Sequence, residues 1–453
     1  MGSEVRRELS ERRVAGSTPL ASLCKNMSKF REVLKNKNFF FLWVSQIVSQ
    51  LGDRLGQMAL IGFVYLRTPG STVEIAKILS FTIIPVFLIG PIAGVYVDRW
   101  DRRRTMYICD LVRTILVVLI PLFLFHMRHL WFMYLLIFLI FSIGRFFIPA
   151  KLAIIPDLVE KKDLLMANSL VNITGMIAAI LGFGIAGVVV EWLGAKGSFY
   201  LDALSFFVSA LLIFFIVVKK VNRQRLSHLS REIVGVVIKE STVVPLRLIA
   251  VLREIKEGIV YFIKQKEIRF TASVIFLLWS ALGAIYVVLI VFVQNTLHSA
   301  TKDLGLLIMF LGTGLFFGSL IYGRFGQRIS HYKIIFVSLI LSGIMLVVFA
   351  ATLKNHPYFF SAAILSFILG VSVSPIMIAS NTIIHNISDN SMMGKIFSSM
   401  EMVMHLGFIL FMFISSFLAE RIPKGYILVI VGIVFSLLGV INLIYHRKMP
   451  WLN

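Results

Sequence analysis

Acids are scarce in this 453-residue chain and cysteines scarcer: 23 Asp and Glu stand against 45 Lys and Arg, with 2 Cys. Cys24 falls in a polar N-terminal tail and Cys109 in an apolar run, so neither a disulfide framework nor a thiolate metal site is indicated. Charged residues of both signs make up only 15% of the chain, and 58% is hydrophobic. Soluble domains sit nearer 25% charged and 45–50% apolar. A mean hydropathy of +0.89 agrees that this is a polytopic membrane protein. A phosphate-cradling GxxxxGK[ST] is missing too. The glycine-rich GTGLFFGS at 312–319 lies inside an apolar run, which argues against ATP-driven transport by this chain alone. Neither a nucleophile triad nor a metal-ligand spacing occurs, so no enzyme activity, cofactor or metal is expected.

What is present is a series of apolar runs long enough to span a bilayer, which needs about 18 residues or more. They cover 38–66, 75–97, 105–126, 130–155, 164–192, 197–218, 268–293, 303–323, 331–353, 357–384, 392–419 and 425–445. The fold class is therefore all-α, with about twelve transmembrane helices. The net charge of +22 invites a nucleic-acid reading. Its placement favours a plainer one. With a cytoplasmic N-terminus, roughly 34 Lys and Arg fall inside, about 8 outside and about 3 within spans, as the positive-inside rule requires. Both termini are then cytoplasmic and no nucleic acid is expected. The lead MSKFREVLKNKN at 27–38 already reads as a complete approach to the first helix, so Met27 is the expected start.

The chain divides into a tail at 1–37, a six-span unit at 38–218, a basic linker at 219–267, a second six-span unit at 268–446 and a tail at 447–453. Within the linker, 248–269 spaces Ile249, Leu252, Ile255, Ile259, Phe262 and Ile263 as one face of an interfacial amphipathic helix. The halves echo one another: GVYVDRWDRRR (94–104) against SLIYGRFGQRI (319–329), and 152–169 against 381–398. Their offsets, roughly 225 and 229 residues, suit the repeated six-helix units of carriers.

The first apolar run holds an acid and a base side by side. At 100° per residue, Gln46, Gln50, Asp53 and Gln57 form one stripe, with Arg54 on the opposite shoulder. Asp53 lies about 22 Å from Asn38 and about 18 Å from Tyr65 along the helix, near the bilayer midplane. Such a stripe faces protein or water, not lipid. Asp53 is either a proton or substrate-cation site, or part of a polar network locking the first helix to its neighbours. Arg145, in the fourth run, needs an acceptor. Asp202, in the sixth, is a partner for Arg54 or Arg145, or equally a helix-start residue. Glu401 and His405 in the eleventh run share a face at i,i+4 spacing and either relay protons or form a satisfied pair between helices. Trp279 in the seventh is an aromatic candidate for solute contact.

The loop Gly94-x-x-x-Asp98-Arg99-x-x-Arg102-Arg103 is similar to the signature between the second and third helices of the major facilitator superfamily. Ser49-Gln50-Leu51-Gly52-Asp53, Pro149-Ala150, Pro156-Asp157, Ala167-Asn168 and Leu201-Asp202-Ala203-Leu204-Ser205-Phe206 together resemble the macrolide-efflux and enterobactin-exporter-like branch. The resemblance covers essentially residues 27–446. It implies two pseudo-symmetric six-helix bundles and a central cavity lined partly by the first helix. It also implies a gate latch at Asp98, held by Arg102 or Arg103 near the start of the eleventh helix around Ser391–Gly394. Asp110 and Arg113 are expected to complete that latch network. An arginine in the fourth helix, here Arg145, is tied by the resemblance to proton coupling. The fifth run has Gly182, Gly184 and Gly187 but lacks the proline usual in drug–proton antiporters of the superfamily.

The function expected from all this is secondary export of a small amphipathic organic solute by alternating access, in exchange for protons. The carrier would work as a monomer in the plasma or inner membrane. A lysophospholipid flippase-like facilitator without proton coupling is the alternative, and a non-transporting receptor or scaffold a remote one.

Overall fold

A computed structural model describes residues 30–97, 99–124, 131–218, 266–326, 329–387 and 393–446. Among these the chain is helical, with no strand. The first pass is α1 (Lys37–Arg67). Asn36 caps it by accepting from the amides of Asn38 and Phe39, and the same side chain donates to the Leu158 carbonyl at 2.6 Å. One asparagine therefore both starts the helix and ties it to the end of the fourth pass.

The second pass is broken. It runs as α2 (Thr72–Leu88) and α3 (Gly90–Val97), although the apolar run 75–97 looked continuous. Pro91 carries no N–H to close a bond to the preceding turn, and Pro85 interrupts the ladder one turn earlier. The third and fourth passes are α4 (Arg102–Leu124) and α5 (Trp131–Leu158). The fifth and sixth form one helical run, α6 (Leu164–Phe214), broken only at Gly194 with φ 69° and ψ 170°. The chain reverses there. Gly182 faces Arg54 and Leu51 while Asp202 faces Gly52 and Gly56, all at one level of α1. A straight helix would carry residues 182 and 202 about 30 Å apart. The second half follows as α7 (Lys266–Leu297), α8 (Lys302–Phe325), α9 (His331–Asn355), α10 (Phe359–Ile387), α11 (Met393–Ala419) and α12 (Lys424–His446). Counted as passes, these are the twelve expected. The tails at 1–29 and 447–453 and the expected amphipathic helix, all but its last residues, lie outside the described residues.

The buried core shows how the halves meet. Call the end of the bundle at Lys37 the near end and the end at Arg67 the far end. One apolar cluster takes side chains from both halves, among them Ile61, Val64, Ala76, Val190, Val291, Leu304 and Leu428. All belong to the far end. Two further clusters each belong to a single half: Phe39, Val97, Ile154 and Ile216 in the first, and Leu278, Tyr322, Phe336 and Ile383 in the second. These sit toward the near end. The halves are fused at one end and have separate cores at the other.

Polar groups reinforce the far-end seam. Thr72 donates to the Ser416 carbonyl at 2.8 Å and Ser71 to Glu420 at 3.1 Å. Glu191 accepts from the amides of Thr301 and Lys302 at 3.3 and 3.4 Å, capping α8 from the other half. Gly187 and Gly305 bring α6 and α8 so close that a Cβ on either would run into the other helix's backbone.

Candidate functional site

A charged centre lies inside the first half at the level of Asp53. Arg113 of α4 donates to Asp53 Oδ1, and its other amine lies 3.8 Å from Asp110 Oδ1. The guanidinium stacks on Phe206 of the sixth pass, 3.8 Å from the ring centroid. Asp110 is completely buried and accepts from Ser209 at 2.6 Å. Asp202, also buried, packs on the bare backbone of Gly52 and Gly56. Three carboxylates from three passes thus surround one guanidinium. In a medium of low dielectric such ions need matching partners, which Asp53 and Asp110 find in Arg113 and Ser209.

This arrangement moves Asp110 and Arg113 away from the loop, where they were expected to complete the latch. About two and three turns of helix separate Asp110 and Arg113 from Arg103, and Arg113 reaches inward to Asp53 while Asp110 meets Arg113 and Ser209. Within the loop, Arg102 pairs with Asp157 at 3.3 Å, and Arg103 donates to the Ile216 carbonyl at 2.5 Å. Arg99 is exposed, and Gly94 has open space where a Cβ would stand. Asp98 and Ser391–Met392 lie outside the described residues. The arginines expected to hold Asp98 therefore tie the third helix to the ends of the fourth and sixth passes.

The stripe on α1 divides between two neighbours. Gln50 and Arg54 face the fifth pass at Gly175 and Gly182, and Arg54 also stacks over Phe183 at 4.7 Å. Arg54 donates to Gln57 at 3.0 Å, so it does not pair with its neighbour Asp53. Adjacent residues project about 100° apart, which is the reason. Gln46 is buried with its Nε2 unmatched among the described residues. Asp53 and Gln57 line a cavity of about 20 Å³ together with Asp202, Phe206 and apolar side chains of the third and fourth passes. That is room for about one water.

A second polar place spans the two halves. Arg145 of the first half feels the charge of Glu401 in the second, and those of Arg113 and Asp53 in its own. Its Nε is buried without a hydrogen-bond partner among the described residues. Glu401 is exposed, and it meets His405 through its backbone carbonyl: His405 Nδ1 lies 2.7 Å from that oxygen. The imidazole is thus bonded to its own helix through the Glu401 carbonyl. The His405 ring sits 5.3 Å from Trp279 of α7 and edge-on to Phe87 of α2 at 5.8 Å. That trio brings an aromatic from the first half against two residues of the second.

Asp202 was read as a partner for Arg54 or Arg145, or as a helix start, and the structure gives it none of these roles. The missed clue was Gly52-x-x-x-Gly56, a small-residue pair that admits a buried side chain against α1.

Comparisons with known proteins come from three directions. The sequence pattern of a family described as transmembrane secretion effectors matches residues 29–385. The MFS-type transporter YkuC of Bacillus subtilis, itself uncharacterised, is 26% identical over 375 residues, covering 81% of each chain. Macrolide efflux protein A of Streptococcus pyogenes is 21% identical over 410 residues, 89% of this chain and 94% of that one. Among solved structures, the nucleoside transporter NupG superposes with a TM-score of 0.67 at 13% identity, covering 89% of this chain and 97% of its own. A bacterial homologue of the iron transporter ferroportin, in an inward-facing state, gives 0.64 at 13% identity, covering 89% and 98%. At such identities the two structures speak for the fold alone.

Proposed function

This chain belongs to the transmembrane secretion effector family of the major facilitator superfamily, and on that premise we propose that it exports an amphipathic organic solute in exchange for protons. The two halves rock about the cleft between them, in the plasma or inner membrane, with the near end cytoplasmic. One copy of the chain suffices, since cleft and charged centre both come from it.

What supports this reading is Arg145, whose Nε is buried without a hydrogen-bond partner among the described residues and on which Glu401 and Asp53 act against the like charge of Arg113. The solute occupies the cleft at Glu401 and the Phe87–His405–Trp279 trio, and the proton acts on the Asp53–Arg113 pair. Adding a proton to Asp53 weakens its hold on Arg113 and changes the charge that Arg145 sees. Ion at one place and solute at the other therefore act on a common guanidinium. Gln46, Gln50, Arg54 and Gln57 complete the polar lining of α1. Export as the direction follows the name of the macrolide efflux relative.

The test is flux in liposomes under an imposed pH gradient, screening dyes, macrolides, siderophores and lysolipids. Asp53→Asn should lose gradient-driven accumulation by tenfold or more and keep solute exchange at equal pH. An Asp53→Asn protein that accumulates solute as the parent does removes the coupling role of Asp53. Flux of lysolipid alone, indifferent to the gradient, replaces proton exchange with facilitated lipid movement.

A further inference from the structure

Asp202 is 4% exposed, and its Oδ1 has no hydrogen-bond partner among the described residues. Asp110 Oδ1 is also buried without a hydrogen bond, but that carboxylate has Ser209 on its other oxygen and Arg113 at 3.8 Å, whereas the Asp202 side chain has neither kind of partner among the described residues. An ionised carboxylate only accepts, so each of its buried oxygens needs a donor. Among the described residues no donor reaches that oxygen, although Arg113 keeps a buried Nε without a hydrogen-bond partner and Gln57 lines the same cavity. Arg113 is held by Asp53, Asp110 and the Phe206 ring. Ser209 gives its proton to Asp110, and Ser205 gives its own to the Asp202 backbone carbonyl at 2.7 Å. The first helix presents Gly52 and Gly56, which have no side chain to offer.

The charged and titratable groups facing this place are few. They are Asp53 from the first pass, and Asp110 and Arg113 from the third. The fourth pass presents Ile137, Ile140 and Phe141 to the cavity. Arg113 is the cation that acts on Asp202 directly, while Arg145 and Lys151 of the fourth pass act on Asp53. A carboxyl that carries its own proton on Oδ1 removes a buried charge that no donor there matches. Asp202 also lines the water-sized cavity that reaches Asp53, whose side chain is 31% exposed.

We propose that Asp202 is a proton-binding site of this carrier, loaded and unloaded through the cavity it shares with Asp53. This deepens the proton-exchange reading above, which named Asp53. The proton leaves the Asp202 carboxyl for a water in the cavity and passes to Asp53, with Arg113 balancing whichever carboxylate is charged. No bond other than O–H forms or breaks.

The test reads the proton without any solute. Purified protein in lipid vesicles is titrated by infrared spectroscopy in H2O and D2O, following the carbonyl band of a protonated carboxylic acid. The parent should show such a band at pH 7, shifted in D2O and lost as pH rises. Asp202→Asn should remove it, and Asp53→Asn should keep it. Should Asp202→Asn fail to fold, Asp202→Glu serves: its band moves in frequency, and an unmoved band overturns the proposal. A band that survives Asp202→Asn, or one that ignores both D2O and pH, also overturns it. Because no flux is measured, this outcome is separate from the transport screen. A parent indifferent to pH gradients would sink proton exchange and leave the infrared result to decide Asp202.

Discussion

Glycines at the charged centre give the sharpest residue-scale prediction. A Cβ at Gly56 would overlap the Asp202 carboxylate, whereas a Cβ at Gly94 would meet nothing within 4 Å. Gly56→Ala therefore forces an overpacked contact, costing about 1–3 kcal/mol, and should lower the thermal midpoint in detergent. Gly94→Ala adds a better helix former in open space, worth about 1 kcal/mol at most, and should leave the midpoint unchanged or raised. Equal effects at the two positions would contradict the packing described. At this scale the sequence was partly legible. Asp53 was singled out as a charge inside a long apolar run, and it belongs to the charged centre with Arg113. Its partner was not legible. Arg113 lies 60 residues away on another pass, and only tertiary packing brings the two together. The same holds for Asp202, whose neighbours Gly52 and Gly56 carry no charge to advertise the contact.

Among the elements, α6 depends most on a single residue. Gly194 has φ 69°, a left-handed conformation that costs other residues about 1–2 kcal/mol. Gly194→Ala should destabilise the turn by that amount. Because this turn sets the register of the fifth pass against the sixth, the loss should be accompanied by faster proteolysis near 192–197. Wild-type resistance to protease with an unchanged midpoint would show the turn to be tolerant. Twelve passes were legible from apolar length, since a bilayer imposes that length on every spanning helix. The break between α2 and α3 was not, although Pro85 and Pro91 were both in view. Prolines are common enough in membrane helices that they do not by themselves predict an interruption. Nor was the near-absence of a loop between the fifth and sixth passes, because hydropathy cannot tell a tight reversal from a short connector.

The whole molecule is held at its far end by Glu191, which caps the first turn of α8 from the opposite half. Losing a helix cap costs about 0.5–2 kcal/mol. Glu191→Ala should therefore shift the balance between end states by roughly 2- to 30-fold toward far-end opening. Spin labels placed on α2 and α11 at that end would read the change as longer distances, and identical distance distributions would refute the cap as a restraint. The seam has a further consequence, in time. The far-end core draws on Val190 and Ile61 in the first half and on Val287 and Leu304 in the second. A ribosome adding about 5–20 residues per second needs on the order of ten seconds to travel from the sixth pass to those later residues. For that interval the finished first half waits in the membrane with half of a core exposed. Lipid, a chaperone or an insertase must stand in for the missing partner until it arrives.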